Sequence, residues 1–175
     1  MAEENSFRNF LAEAWELKKQ NEFPKGADIL VVDRLERFFV SRLNCLLLDK
    51  NIIESEMYLC ADYIARTLAG YAREFPSTFR AAEYLYAYLQ CRQSEKSGEP
   101  IRREDYLVRA GQACFVISVF FPCLHHSRRV DERYYAEMGA TFFYQYFLES
   151  GKEVAQHMAE RFDELVPLTQ EAIEF

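Results

Sequence analysis

Gly111-Gln-Ala-Cys-Phe-Val-Ile-Ser-Val-Phe-Phe121, closed by Pro122, is the stretch that decides the fold. Leu107, Ala110, Cys114, Ile117 and Phe121 recur at intervals of three and four, the period of one α-helix face. Val108, Phe115, Val116, Val119 and Phe120 fill the other sides, and a helix that is apolar all round has to be buried. Only the fifteen residues from Ala110 to Leu124 pass without a charge or a histidine. A bilayer needs roughly 20, so the segment reads as the central helix of a soluble core.

Working outward, the same period predicts further helices. Residues 6–20 carry Phe7, Phe10, Leu11, Ala14, Trp15 and Leu17 on one side, and Pro24 and Gly26 break the pattern before Asp28. A helix over 28–49 has the stripe Val32, Leu35, Phe39, Leu43 and Leu46, widened by Val31 and Phe38. Asn51-Ile-Ile-Glu54 reads as a polar N-cap with a carboxylate three residues on, opening a helix that buries Cys60, Ile64, Leu68, Tyr71 and Phe75. Ser77 is expected to cap the next, with Phe79, Ala82, Leu85, Tyr86 and Leu89 on its inner side, before a surface loop at 93–100. After the central helix, Pro122–Val130 turns the chain and Asp131 can cap a helix to about Glu149. Ser150-Gly-Lys-Glu153 reads as a capping box for a last helix with Val154, Met158, Phe162 and Leu165 inward, which Pro167 should end or kink. Gly139 sits midway along its helix, where glycine costs roughly 1 kcal/mol against alanine, so a close helix crossing is expected there. The prediction is a single all-α domain over 1–175, a bundle of about six to seven helices around a buried helix at about 102–121.

Composition agrees. Half of the 175 residues are hydrophobic and 15% aromatic, with fifteen Phe and eleven Tyr against six Gly and five Pro. Such a chain should bury roughly 70% of its extended surface. The net charge of −7 makes nucleic acid a poor partner, because polyphosphate is held by clustered Lys and Arg. From Arg92 to Ala136 there are eight Lys/Arg against six Asp/Glu; from Glu137 onward, two against eight. The five cysteines form no CxxC pair, and the N-terminus is acidic with no apolar run behind it, which points to reduced thiols in the cytoplasm and to no membrane association. Cys45, Cys60 and Cys114 fall on apolar faces and read as inert core thiols.

Three segments carry a resemblance. Gly111-Gln112 with Phe115 through Phe120-Phe121-Pro122, then Tyr134-Tyr135 with Gly139, then Arg161-Phe162 with Leu165-Val166 resemble a family of uncharacterised bacterial all-helical proteins. Its pattern is Gly-Asp-x-x-Leu-Phe-x-x-Gly-Phe-Phe-Pro, a Tyr-Tyr-x-x-x-Gly helix and an Arg-Phe-x-x-Leu-Val segment. The likeness covers about 105–168, and it implies a helical fold with Gly111 and Gly139 as packing positions, but no activity. Gln112 stands where the family has Asp, and Val119 where it has Gly, so any chemistry of that acid is lost here.

No residue set reads as catalytic: there is no Gly-x-Ser-x-Gly elbow, phosphate loop or dinucleotide fingerprint, and no cofactor is implied. Cys123, His125 and His126 are weak metal candidates, since four ligands are needed and no second pair stands at ligand spacing. Glu153, His157, Glu160 and Glu164 lack the Glu-x-x-His motifs of di-iron bundles and should face water. Arg102, Arg103, Arg109, Arg128, Arg129 and Arg133 have acidic neighbours for mutual pairing. The tyrosines 84, 86, 88, 134, 135, 144 and 146 crowd two helices, so some must reach the surface, where such residues favour interfaces. The preferred expectation is a non-catalytic protein-interaction or scaffold domain, with self-association through these helices as one form. The alternative is a small-molecule- or metal-binding helical protein, or an enzyme, with a cavity beside helices 102–121 and 131–149 ringed by Gln112, Ser118, His125, Arg129 and Tyr135.

Overall fold

The computed structural model describes residues 28–74, 85–89, 103–121 and 131–173, with side chains described from Arg34 onward except at 73, 74 and 132. Its helices are α1 (Asp28–Asp49), α2 (Ser55–Glu74), α3 (Arg103–Val119), α4 (Glu132–Ser150), α5 (Glu153–Glu160) and α6 (Phe162–Ile173). A single helical turn lies at 85–89, and there is no strand among the described residues. The protein is an all-α bundle. None of these helices is long and apolar enough to cross a membrane. The expected helix at 6–20, the Ser77 cap, the loop at 93–100, and Val31, Val32 and Phe75 as core side chains lie outside what is described.

The α1 and α2 helices form an antiparallel hairpin. Leu35, Phe39, Leu43 and Leu47 are buried at four-residue steps. Each such step drifts about 40° around a 3.6-residue helix. The stripe therefore ends on Leu47 rather than Leu46, and leaves Phe38 at 40% exposure instead of widening the core. Cys45 falls opposite this stripe and is exposed, correcting its expected place in the core. Asn51 does not cap α2. It takes φ +54° and closes α1, its N–H donating to the Leu48 carbonyl while the Ile52 N–H reaches Leu47, both at 2.9 Å. That is the Schellman pattern, with asparagine in the left-handed position it tolerates well. The Glu54 carbonyl instead accepts the first bond of α2, from Met57.

In the α3–α4 hairpin, Leu107, Ala110, Gly111 and every residue from Ala113 to Phe120 are buried. Gly111 sits under the Phe143 ring, where a β-carbon would stand 3.2 Å away. At Gly139 an added β-carbon would meet the Phe162 ring at 2.5 Å and the Cys114 β-carbon at 3.0 Å. Phe162 stands edge-on to Phe115 at 5.4 Å and tilted to Phe143 at 6.4 Å. The expected close crossing at Gly139 is thus filled by a ring from α6.

Between α4 and α5 there is no capping box. Gly151 ends α4 at φ +68°, its N–H on the Phe147 carbonyl, and the Ser150 hydroxyl donates back to Tyr146. With serine engaged at the end of α4, the N-cap of α5 is Lys152, which makes no side-chain cap bond. The last helix breaks at Arg161 (φ −111°, ψ 17°), and Pro167 lies inside α6 without ending it. Restarting at Phe162 puts the proline one turn in; the carbonyl it cannot bond belongs to exposed Asp163, where water can replace the lost partner. α6 then ties the two hairpins together. Gln170 Nε2 donates to the Ser118 and Val119 carbonyls at the end of α3, Arg42 of α1 donates to the Ala172 carbonyl at 2.9 Å, and Lys50 pairs with Glu171.

Two glycines should respond oppositely to alanine. Overpacking a tight core costs about 1–3 kcal/mol, more than the roughly 1 kcal/mol of helix propensity gained, so Gly139→Ala should destabilise the fold. Gly70 is helical, with nothing within 4 Å of the place an alanine methyl would take, and Gly70→Ala should stabilise by about 0.5–1 kcal/mol. Thermal unfolding followed by circular dichroism reads both, at roughly 2–4 °C per kcal/mol for a chain of this size.

Candidate functional site

α4 is apolar on both sides. Its inner side buries Gly139, Phe142, Phe143 and Tyr146. Its outer side shows Tyr134, Glu137, Thr141, Tyr144 and Leu148, all exposed and spaced three, four, three and four apart, so that they form one row. Tyr134, Tyr144 and Leu148 keep 46%, 48% and 57% of their surfaces in water. Tyr134 stands edge-on to Tyr135, and Tyr144 leans on Phe147 at 6.4 Å, which holds both outer rings in place. At the far end the 85–89 turn is pinned beside α4 by the Tyr88 hydroxyl donating to Glu149 at 3.3 Å. Tyr88 is buried, and Tyr86 and Leu89, which the spacing predicted to face inward, are exposed. The tyrosines thus divide as positions two apart must, with 86, 134 and 144 outside and 88 and 146 inside.

Beneath this row runs a polar seam between α2, α3 and α4. Gln112 Nε2 donates to the Tyr63 hydroxyl at 3.0 Å and lies 3.4 Å from Thr67 Oγ1, which itself donates to the Tyr63 carbonyl. The Tyr63 ring stands edge-on to Phe143, and burial pushes its phenol above the usual tyrosine range, against the hydrogen bond from Gln112. Lys152 Nζ donates to the Tyr146 hydroxyl at 2.6 Å, a bond that raises the ammonium pKa, with Glu104 and Asp105 adding a smaller pull. The nitrogen lies 5.2 Å from the ring centre, beyond the hydroxyl edge rather than over the π face, so this is a hydrogen bond and not a cation–π contact.

Of the residues expected around a cavity, only Gln112 lies in this seam among the described residues. Gln112 faces α2 midway along α3. Tyr135 packs on Phe121 at the other end of α3, ring centres 6.3 Å apart. Phe121 is nine positions on from Gln112 and just past the end of α3, about 13 Å at the helical rise, so the two polar groups belong to different levels. Ser118 is buried and its hydroxyl has no hydrogen-bond partner. His125 and Arg129 lie outside the described residues, as do Cys123 and His126. Among the described residues no three His, Cys, Asp or Glu side chains gather as a metal site. Glu153, Glu160 and Glu164 are exposed and His157 half-buried, a solvated row. Arg133 pairs with Glu137, one turn along α4, at 3.7 Å. Tyr63, Thr67 and Lys152 were not singled out by sequence, although Tyr63 and Thr67 are four apart beside the Ile64 stripe.

Cys60 and Cys114 are buried, and burial pushes both thiols up to about 12. The folded protein holds these protons where the unfolded chain, at 9.0, releases them. The stability they contribute is therefore complete below pH 9.0 and is lost as pH climbs towards about 12, with Tyr63 acting in the same direction. At pH 8, a thiol reagent should label Cys45 in the native protein, whereas Cys60 and Cys114 should react only after unfolding; labelling of either in the native state would contradict their burial. A second expectation concerns Ser118. An unpaired buried hydroxyl costs about 1–3 kcal/mol, so Ser118→Ala should leave the melting temperature unchanged or raise it.

No family model, no curated protein and no solved structure matches this chain, and its function has to be read from its own residues.

Proposed function

We propose that this chain is a non-catalytic protein-interaction or scaffold module that docks its partner on the outer face of α4. The observation that carries this is the row Tyr134, Tyr144 and Leu148, exposed on a helix whose opposite side is fully packed. Single exposed apolar residues are ordinary. A periodic row on one rigid helix is the kind of surface that marks an interface. Tyrosine suits it, because a ring fixed by two torsions gives much contact area at low entropic cost and keeps a polar tip for the wet rim.

A second reading, a small-molecule- or metal-binding helical protein or an enzyme, is favoured by the buried Ser118 hydroxyl, which has no hydrogen-bond partner. A ligand that stabilises the wild type in a thermal-shift screen but not Ser118→Ala would support it.

The interaction reading is tested with a photo-crosslinking phenylalanine derivative in place of Tyr144, and separately in place of exposed Asp163, in the intact chain inside the producing cells. Adducts with another protein from position 144, absent from position 163, are expected. No adduct at 144, or the same adducts at both positions, would defeat it.

A further inference from the structure

We infer that the face on α4 receives a basic amphipathic helix from another protein. This deepens the interaction reading and rests on it. The shape comes from the row itself: apolar groups at 134, 144 and 148 along one helix offer a ridge that a second helix can pack along through anchors at i, i+3 or i+4, and i+7. The charge comes from what flanks it. Glu137 lies inside the row, its pairing with Arg133 long at 3.7 Å and open to water, and Glu149 stands at the far end beside Tyr88. Glu153 follows at the start of α5, exposed. From Glu137 to the last residue there are eight Asp/Glu and two Lys/Arg, and one of those two, Lys152, is engaged with Tyr146.

A second copy of this chain, itself at −7, would bring like charge against like. A helix with Lys or Arg beside its apolar stripe would instead meet the acids Glu137, Glu149 and Glu153. The exposed rings of Tyr134 and Tyr144 add faces on which guanidinium groups can lie. Rim charges of this kind set partner choice and association rate more than affinity.

The probe is a designed 18-residue Leu/Lys amphipathic helical peptide, compared with a Leu/Glu peptide of the same stripe and a Ser/Lys peptide without one. Binding to the full chain is read by fluorescence anisotropy. The Leu/Lys peptide alone should bind, more weakly as salt rises. Tyr144→Ser with Leu148→Gln should weaken binding at least about tenfold, and Glu137→Gln or Glu149→Gln about threefold each, as expected for exposed charges. Phe38→Ser with Leu48→Gln, on the exposed side of α1, should leave binding unchanged. Circular dichroism of each variant verifies that the helices persist. Equal loss from the α1 variant, or equal binding of the Leu/Glu peptide, would overturn the inference. The crosslink at position 144 separates the two claims. An adduct with another protein while the Leu/Lys peptide fails to bind leaves the interaction reading standing and removes only the basic helix. An adduct of twice the chain's mass, or a crosslink into residues 6–20 of the same chain, would assign the face to a second copy or to the chain's own segment and likewise overturn it.

Discussion

The Phe162 ring, wedged against the bare backbone of Gly139, is the contact on which the rest of the bundle depends. A β-carbon at Gly139 would lie 2.5 Å from that ring, so glycine is what allows the ring in. Once there, it touches Phe115 on α3 and Phe143 on α4, and joins three helices at one point. The helix break at Arg161 belongs to the same arrangement, because it frees Phe162 from the direction of α5 and starts the helix that carries it. Fully buried phenylalanines of this kind are worth about 3–5 kcal/mol against alanine, a large part of a typical domain's stability.

That crossing also explains why α4 can present apolar groups to water without loss of order. Its inner side is held by rings and by a glycine seat, so its outer row need not contribute to folding. The polar seam lies at the next level, where Gln112 ties α3 to α2 through Tyr63, and Lys152 bonds the Tyr146 hydroxyl. A rigid helix with one side spent on the core and the other free is a suitable platform for a partner, since little has to be ordered on binding.

Much of the fold could be read from the residues. The charge-free, largely apolar run from Ala110 to Phe121 announced a buried helix, and the misfit of Gly139 among aromatics announced a crossing. The helix at 28–49 has the bounds its periodicity suggested. The ends of helices were harder. Asn51 and Ser150 both look like N-caps of the helix that follows, yet each finishes the helix before it, because a polar residue between two helices can serve either and only the backbone dihedrals decide. Phe38 and Cys45 were misjudged for a related reason: a stripe with four-residue steps rotates along a helix, and a residue near its edge at one end is outside it at the other. The outer row of α4 has a clear spacing in the sequence. With apolar residues on both sides, however, nothing local says which side the core will take.

Arg42 of α1 reaches the Ala172 carbonyl across 130 positions of sequence, and Gln170 covers the end of α3 from the same helix. The segment that fastens both hairpins therefore leaves the ribosome only after both of them. Until it emerges, the faces of α1 and α3 on which α6 packs stay uncovered, and the nascent chain carries that oily surface while α2 to α5 are made. Non-local closure of this sort slows folding and leaves a window for misassembly, which makes this a protein whose yield in a cell should follow chaperone supply more closely than its small size suggests.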